Sequence, residues 1–325
     1  MDIHTIAPEP GKDYPQNWNE FLDWFPTEDS CRQYLELLRW PDGFTCPNCN
    51  HNAEPSRASR GRLLCTQCHF QASVTSGTIF SKTRTPLRIW LGAAWYLTNQ
   101  KQGVSALGLQ RVLGLSSYQT AWTILHRFRR AMIRPNRSQL SGLVEVDESF
   151  LDIREKSSVP RNKKKSTTNR VLVGIAVEIL EPNGFGRIRL QKLESDSQES
   201  VTQFIQNAIK PGSHVRTDGS AAYLKIEGLG YIHDKKIQLG SEIPAHKSLP
   251  GVHRIASLVK RWLLGTHHGG VKSEHLSSYL DEFVFRFNRR KSRHRGMLFY
   301  RLLQQAVQTE QVAYSEIIQN PKQQE

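Results

Sequence analysis

The middle of the chain alternates apolar and charged residues, a pattern that predicts a half-buried β-strand. Along residues 143–150 the valines fall on one side of an extended chain, and Glu145 and Asp147 fall on the other. A second short strand ends at Asp218, where Gly219 turns the chain. Two aspartates held at strand ends by distant parts of one sheet supply the hard oxygen ligands of a divalent cation site. The alternative is that each is an ordinary turn residue, because Asp-Gly is a common surface turn.

Further segments complete a predicted sheet domain around these strands. Residues 170–180 are continuously apolar, residues 187–193 alternate after a turn, and residues 231–233 suit one more short strand. Residues 198–210 have helical spacing. We therefore predict an α/β domain, a mixed sheet with flanking helices. The basic, weakly hydrophobic residues 154–169 are predicted to form a loop that phosphates would order.

Residues 86–134 have helical spacing and contain the turn and cap residues typical of a helix-turn-helix. One helix is followed by a turn at residues 114–116, and a second helix is capped by Ser116 or Ser117. A plain helical hairpin has the same spacing, so the DNA-binding interpretation depends on a basic run in the second helix. That run predicts a cationic face and consists of His126, Arg127, Arg129 and Arg130.

Three other segments have helical periodicity and help to set the domain boundaries. They are residues 30–40, residues 252–264 up to a break at Gly265, and residues 273–288. The domains expected are a helical segment over residues 1–40, a zinc ribbon over 41–80, an all-α helix-turn-helix domain over 86–136, a catalytic domain over 141–304 and a tail over 305–325.

Four of the five cysteines form two Cys-x2-Cys pairs separated by fifteen residues, with Cys31 left over. This spacing predicts a four-thiolate Zn²⁺ site, whose ligands are Cys46, Cys49, Cys65 and Cys68. The metal would be structural, because so small a ribbon has too little core to fold without it. A redox pair is the alternative, although redox chemistry would not need a second copy. Three arginines make the spacer basic, which suits DNA, but zinc ribbons also bind protein.

Charge and composition narrow the class of partner. The 325 residues include 44 Lys and Arg against 30 Asp and Glu, a net charge of +14 with a pI near 9.7, which favours a polyanion. The longest apolar stretch, residues 89–97, is too short to span a bilayer. No basic start leads into an apolar run, so we expect a cytoplasmic, nucleoid-associated protein with no membrane partner.

Four motifs in the second half of the chain, in combination with the ribbon and the helix-turn-helix, carry a family resemblance. They are Val144-Glu-Val-Asp-Glu-Ser149, Arg216-Thr-Asp-Gly-Ser220, Lys260-Arg-Trp-Leu-Leu-Gly-Thr-His-His268 and Tyr279-Leu-Asp-Glu-Phe-Val-Phe-Arg-Phe-Asn-Arg-Arg290. From about residue 31 to residue 300 the chain resembles bacterial insertion-sequence transposases of the ISXO-like group. These have an N-terminal zinc ribbon, a helix-turn-helix and an RNase-H-like catalytic domain of the DDE/DDH type.

The resemblance implies an enzyme that binds the terminal repeats of its insertion sequence and catalyses DNA cleavage and strand transfer with two Mg²⁺ or Mn²⁺ ions. Asp147 and Asp218 match the first two metal ligands, and Lys260 would contact a phosphate. The partners implied are double-stranded DNA, as transposon ends and target, and further copies of the chain as a homo-oligomer on paired ends. Two alternatives remain: an inactive, domesticated transposase that only binds DNA, and a junction or RNA nuclease on the same fold.

The third metal ligand departs from the pattern of the group, in which a Glu or Asn stands seven residues before the lysine. Here that position is His253, about two helical turns from Lys260 and thus on the same face. An imidazole ligand would favour Mn²⁺ over Mg²⁺, and it must be neutral to bind. The rival ligand is Glu282, and an ordinary exposed histidine is the remaining alternative.

Overall fold

The computed structural model describes residues 7–134, 137–154, 168–182, 184–236 and 248–319, which form two compact units. The first unit combines residues of Met1–Arg134 with residues of Lys291–Pro321, and the second is drawn from Pro135–Arg290. In the described ranges the helices are α1 Trp18–Trp24, α2 Glu28–Arg39, α3 Leu87–Asn99, α4 Ala106–Val112, α5 Tyr118–Ala131, α6 Gln198–Ala208, α7 Pro250–His267, α8 Leu276–Asn288, α9 Arg295–Ala306 and α10 Tyr314–Gln319. The strands are β1 Ser56–Ala58, β2 Arg62–Leu64, β3 Gln71–Ala72, β4 Leu143–Arg154, β5 Thr168–Ile179, β6 Phe185–Lys192, β7 His214–Thr217 and β8 Ile232–Lys235.

The basic loop predicted over residues 154–169 lies almost entirely outside the described residues. β4 extends to Arg154 and β5 begins at Thr168, so only the strand ends of that segment are placed.

Aromatic side chains join the two ends of the chain in the first unit. Phe299 on α9 packs against Trp95 on α3, with ring centroids 5.4 Å apart, and against Phe21 on α1 at 5.8 Å. Phe25 and Tyr34 extend the cluster at 5.1 Å from each other. Large aromatic rings supply much of the apolar area in such a core, so this cluster binds α9 to the N-terminal helices.

This packing corrects the expected extent of the catalytic domain, residues 141–304. The second unit ends at Arg290, and α9 belongs to the first. Gly296 allows α9 to lie close to the N-terminal segment, because a Cβ there would collide with the carbonyl oxygen of Pro15. The apolar face of α9 thus finds its partners at the start of the chain, which periodicity alone does not indicate.

The predicted pair of helices around residues 104–130 is confirmed. Ser105 caps α4 by accepting the amide of Gly108 at 3.0 Å, and Ser117 caps α5 by accepting the amide of Gln119 at 3.2 Å. Gly114 turns the chain between them with a φ of 62°, a left-handed conformation that glycine adopts without strain.

The prediction of a cationic face on α5 is wrong, because the second half of α5 packs against α3 and α9 within the first unit. Arg127 donates to the carbonyl oxygens of Ile79 at 2.9 Å and Ser81 at 3.2 Å, and burial lowers its pKa. The rest of the basic run is buried or half-buried: His126, Arg129 and Arg130. Arg127 thus ties loops together, and the four side chains do not form an exposed basic surface.

The second unit is built on a five-stranded sheet in the order β6-β5-β4-β7-β8. β4, β5 and β6 are antiparallel neighbours, while β7 and then β8 add in parallel to the other side of β4. α6 covers one face of the sheet, and α7 and α8 cover the other. If β4 is counted as the first strand, the order across this mixed sheet is 3-2-1-4-5. That order, with helices on both faces, is the RNase-H-like architecture, so the predicted fold class is confirmed.

The predicted break at Gly265 does not occur in this unit. α7 continues to His267, and His268 ends it with a φ of 51°. The apolar stripe of α7 remains buried as far as Leu263, and packing of that stripe outweighs one exposed glycine.

Candidate active site

Four cysteine sulfurs converge in the ribbon of the first unit. All four Sγ atoms lie within 4.8 Å of one another, with Cys46 and Cys68 3.6 Å apart and Cys49 and Cys65 3.7 Å apart. Sulfurs at the corners of a tetrahedron, each about 2.3 Å from a central Zn²⁺, would be separated by about 3.8 Å. Within the described part of the chain, no other group of three or more His, Cys, Asp or Glu side chains has its ligand atoms this close. The cysteines therefore fit zinc.

Both cysteine pairs lie on the same kind of backbone turn. The amide of Asn50 donates to the Cys46 carbonyl at 2.9 Å, and the amide of His69 donates to the Cys65 carbonyl at 3.0 Å. Asn50 and His69 close these turns with φ values of 58° and 56°. The repeated geometry directs two sulfurs of each turn towards one point.

The ribbon has a small core apart from these sulfurs. Phe44, Leu63 and Ala72 are the buried apolar residues that cluster with the cysteines. Hydrogen bonds from the Phe70 amide and then the Asn48 side chain lower the pKa of Cys68 to about 6, which favours the thiolate that binds metal. A structural metal is thus consistent with both the chemistry and the packing.

In the second unit, Asp147 lies on β4 and Asp218 lies directly after the end of the neighbouring strand β7. β4 and β7 are parallel and pair Glu145 with Arg216, and each aspartate follows two residues later. Burial raises the pKa of Asp147 to about 7, and the carboxylates of Glu148 and Asp218 contribute to the rise. Carboxylates crowded in this way resist ionisation until a cation neutralises them.

Backbone amides hold both aspartates in place. Asp147 accepts the amide of Glu148 at 2.9 Å, and Asp218 accepts the amide of Ser220 at 2.9 Å. The amide of Gly219, which has a φ of 82°, donates to the Thr217 hydroxyl at 3.1 Å. The turn after β7 is therefore rigidly bonded around the carboxylate that it presents.

A third carboxylate, Glu148, was missed as a site residue in the sequence. Its Oε1 accepts the hydroxyl of the fully buried Tyr223 at 2.6 Å, across 75 residues of chain. Burial raises the pKa of Glu148, and the carboxylate of Asp218 adds to the shift. Its position directly after Asp147 was the only available signal, because the tyrosine partner is brought in by the fold.

His253 lies in the first turn of α7, which packs on β4 and β5. The amides of Gly251 and Val252 donate to Glu145 on β4 at 2.7 and 3.2 Å. Glu145 and Asp147 share one face of β4, so α7 begins on the face that carries the aspartate. The ligand atoms of the two aspartates and His253 do not all fall within 4.8 Å of one another.

The two other candidate residues are placed differently. Lys260 is exposed on α7, seven residues beyond His253. Glu282 is fully buried on α8 and lies 3.4 Å from Arg286. α8 packs on β6, which β5 separates from β4, so Glu282 is two strands away from Asp147.

Comparison with known proteins supplies independent matches for both units. Residues 139–288 match the ISXO2-like transposase domain, and residues 26–71 match the transposase zinc-ribbon domain. An uncharacterized protein in transposable element ISH50 of Halobacterium salinarum is 26% identical over 276 residues, which cover 81% of this chain and 91% of that protein.

Two solved structures are also similar. The catalytic core domain of BIV integrase is 18% identical with a TM-score of 0.29, over 47% of this chain and 86% of that one. The Mos1 strand transfer complex is 16% identical with a TM-score of 0.27, over 72% of this chain and 79% of that one.

Among the described residues, no helix combines the length and the apolar character needed to cross a membrane. The two family matches fall on the zinc ribbon and on the sheet that carries the aspartates, in the order that the motifs predict. On these grounds the chain carries an ISXO2-like transposase domain over residues 139–288, preceded by a transposase zinc ribbon over residues 26–71.

Proposed function

We propose that this chain is a DNA transposase that binds the terminal repeats of its insertion sequence and catalyses metal-dependent DNA cleavage and strand transfer. The observation that supports this most directly is the pair formed by Asp147 on β4 and Asp218 directly after the adjacent strand β7, with the pKa of Asp147 raised to about 7, in part by the Asp218 carboxylate. Two half-buried carboxylates that share a site repel each other unless a cation binds them. Divalent cations are the usual partners in phosphoryl transfer.

Asp147, Asp218 and His253 would hold Mg²⁺ or Mn²⁺, which when bound stabilises the charge that develops in displacement at phosphorus. The donor set fits such ions, since two carboxylates and one imidazole are ordinary ligands for Mn²⁺. A second ion would need further ligands beyond these three residues. Lys260 would contact a non-bridging phosphate oxygen, because its exposed ammonium group lies on the same helix as His253.

The helix-turn-helix would read the terminal repeats through the start of α5. In such motifs the N-terminal residues of the second helix contact base edges in the major groove. Gln119 is exposed in the first turn of α5, and Arg111 is exposed at the end of α4. The buried second half of α5 supports the motif from behind. The net charge of +14 would strengthen binding at all sequences.

Gln119→Ala and Arg111→Ala are each expected to weaken binding of a terminal-repeat duplex by about 10- to 100-fold, the effect of losing one base or backbone contact. Both side chains are exposed, so the melting temperature should remain near the wild-type value. Arg127→Ala should instead lower the melting temperature, because it removes hydrogen bonds to the carbonyl groups of Ile79 and Ser81. Fluorescence anisotropy at fixed salt measures the affinities.

A charge-matched control for this experiment is Arg88→Ala, which removes an exposed cation from α3, outside the motif. Arg88→Ala should weaken binding of the terminal-repeat duplex and of an unrelated duplex to the same extent. If the two motif variants behave like Arg88→Ala, the helix-turn-helix does not read the ends.

His253→Ala is expected to abolish cleavage with either metal, whereas His253→Glu should retain Mg²⁺-dependent activity. The wild-type enzyme should prefer Mn²⁺, because an imidazole ligand shifts selectivity towards borderline metals. Rates with each metal over a concentration series test this expectation. Glu282→Gln is the comparison variant: full activity of His253→Ala together with loss in Glu282→Gln would assign the ligand to α8.

The proposed function as a whole is tested by strand transfer with the purified full chain. DNA carrying the flanking ends of its own element is incubated with Mg²⁺ or Mn²⁺, and joined products and assembly size are measured. End binding without metal-dependent nicking would indicate a domesticated, inactive transposase. Preferential cleavage of four-way junctions or RNA would indicate a nuclease on the same fold. Joined products from a complex with several copies of the chain are the expected result.

A further inference from the structure

Three charged residues form a row across the sheet directly before the two aspartates. The register pairs Glu145 on β4 with Arg216 on β7, and Arg216 with Asp234 on β8. Nε of Arg216 donates to Asp234 at 2.8 Å, and Nη1 of Arg216 lies 3.8 Å from Oε1 of Glu145. The row lies two residues before Asp147 on β4 and two residues before Asp218 on β7. Its charges are therefore ordered close to the candidate metal site.

Glu145 connects this row to the start of α7. Its side chain is fully buried, and its Oε2 accepts the amides of Gly251 at 2.7 Å and Val252 at 3.2 Å. The first amides of a helix have no partner within the helix, and an anion there also interacts favourably with the helix dipole. A buried carboxylate is costly unless it is bonded on several sides. Among the described residues, Oε2 of Glu145 has its two hydrogen bonds only while α7 begins at this place, and Oε1 has the Arg216 cation 3.8 Å away.

Gly251 makes the close approach sterically possible. A Cβ at this position would lie 2.7 Å from Oε2 of Glu145 and 2.8 Å from Cδ1 of Ile179. Distances below 3 Å require one of the groups to move. The sequence therefore combines a glycine in the first turn of α7 with a buried acid on β4, and each needs the other for the observed contact.

We propose that Glu145 is a positioning residue for the metal site: it docks the first turn of α7 on β4 and thereby sets the place of His253 relative to Asp147. This inference rests on the proposed function, in which His253 is the third ligand. Residues that orient metal ligands without touching the ion typically change metal affinity or activity by about 10- to 100-fold. A loss of metal affinity in a folded variant distinguishes a positioning role from a general contribution to the stability of the fold.

Glu178 on β5 offers a matched control. It is also a buried carboxylate in this sheet, and it accepts the amide of Arg187 at 2.8 Å and that of Ser141 at 3.2 Å. Its ion pair is with Arg187 at 2.6 Å. Glu178→Gln therefore perturbs a comparable buried network whose partners lie away from α7.

The experiment uses the zinc-loaded full chain and measures Mn²⁺ binding by the electron paramagnetic resonance signal of free Mn²⁺. Steady-state cleavage of a terminal-repeat duplex gives kcat and KM in parallel. Glu145→Leu should weaken Mn²⁺ binding by about tenfold or more and lower kcat, with little change in KM. Glu145→Gln keeps an acceptor for the two amides and should recover most of the loss. Glu178→Gln should lower the melting temperature without changing Mn²⁺ affinity.

A double-mutant cycle tests whether Glu145 acts through His253. In a His253→Ala background, Glu145→Leu should have no further effect on Mn²⁺ affinity, because the ligand that it positions is absent. Additive losses would overturn the inference. If Glu145→Leu does not fold, Gly251→Ala takes its place, since the added Cβ displaces the same contact with no change of charge.

Asp147→Asn separates the two proposals. If this variant binds Mn²⁺ as the wild type does, the metal site itself is misplaced and the proposed function fails. If it loses Mn²⁺ binding while Glu145→Leu and Gly251→Ala keep wild-type affinity, only the positioning role of Glu145 is overturned.

Discussion

Asp147→Asn and Asp218→Asn are each expected to abolish DNA cleavage and strand transfer while end binding stays close to the wild-type level. The amide removes one of the negative charges that balance the bound cations, and both aspartates belong to the second unit, whereas the helix-turn-helix and the ribbon belong to the first. The rate should fall by roughly 10³-fold or more, the scale on which essential catalytic groups act. Gel-resolved cleavage assays measure the rate, and fluorescence anisotropy measures end binding, on the same preparations.

The control on the same strand is Asp152→Asn. Asp152 is an exposed residue of β4 whose carboxylate lies 3.4 Å from Arg170, so its loss should leave the rate unchanged. Strand transfer that survives Asp147→Asn or Asp218→Asn would mean that the catalytic ions bind elsewhere.

Asp147→Asn should also stabilise the metal-free protein, and the effect should depend on pH. The pKa of Asp147 is about 7 in the fold, above the value of about 3.9 for an unfolded aspartate. The folded state therefore binds more protons between these values, so this residue lowers stability progressively as pH rises from about 4 to about 7. Above pH 7 the variant should melt higher than the wild type, by about 2–4 °C for each kcal/mol of repulsion removed. Calorimetry at pH 4.5 and pH 8 checks the sign, and Mn²⁺ should raise the melting temperature of the wild type only.

Cys46→Ser and Cys65→Ser are each expected to unfold residues 41–75 and to lower end-specific DNA binding. The apolar core of the ribbon is small, and the free energy of zinc binding in comparable small domains is about 10–16 kcal/mol at neutral pH. Hydrogen exchange should show loss of protection confined to this segment, and elemental analysis should show loss of the single zinc.

Cys31→Ala serves as the control for the zinc variants. Cys31 is buried on α2 and is not one of the four grouped cysteines, so its replacement should keep one zinc per chain. A ribbon that remains protected and binds ends without zinc would contradict the structural role of the metal.

Much of the fold could be predicted because its signals are local. Alternation along residues 143–150 and the Asp-Gly turn at Asp218 depend on neighbouring residues, and both strands are present. The spacing of the cysteines likewise encodes two short turns, each of which closes on its own hydrogen bonds. The serine cap of α5 and the turn at Gly114 indicated the helix-turn-helix for the same reason.

The errors and omissions arise where distant segments meet. The basic run of α5 looked exposed in the sequence, yet Arg127 is bonded to carbonyl groups some 46 and 48 residues away. α9 was assigned to the catalytic domain by its position in the chain, but its aromatic partners lie at the N-terminus. Amphipathic periodicity shows which face of a helix is buried and not what covers it.

The sequence by itself determined the ribbon, the helix-turn-helix, the strands and the two aspartates, because turns, caps and alternation are set by residues close together in the chain. Only the tertiary structure decided that Glu148 joins the site through Tyr223, that Glu282 lies over β6, and that Glu145 receives the start of α7. These contacts depend on strand register and helix docking. The hydrogen bonds of Glu148 and Glu145 join segments 75 and 106 residues apart, and the local sequence of one segment does not indicate which distant segment it will contact.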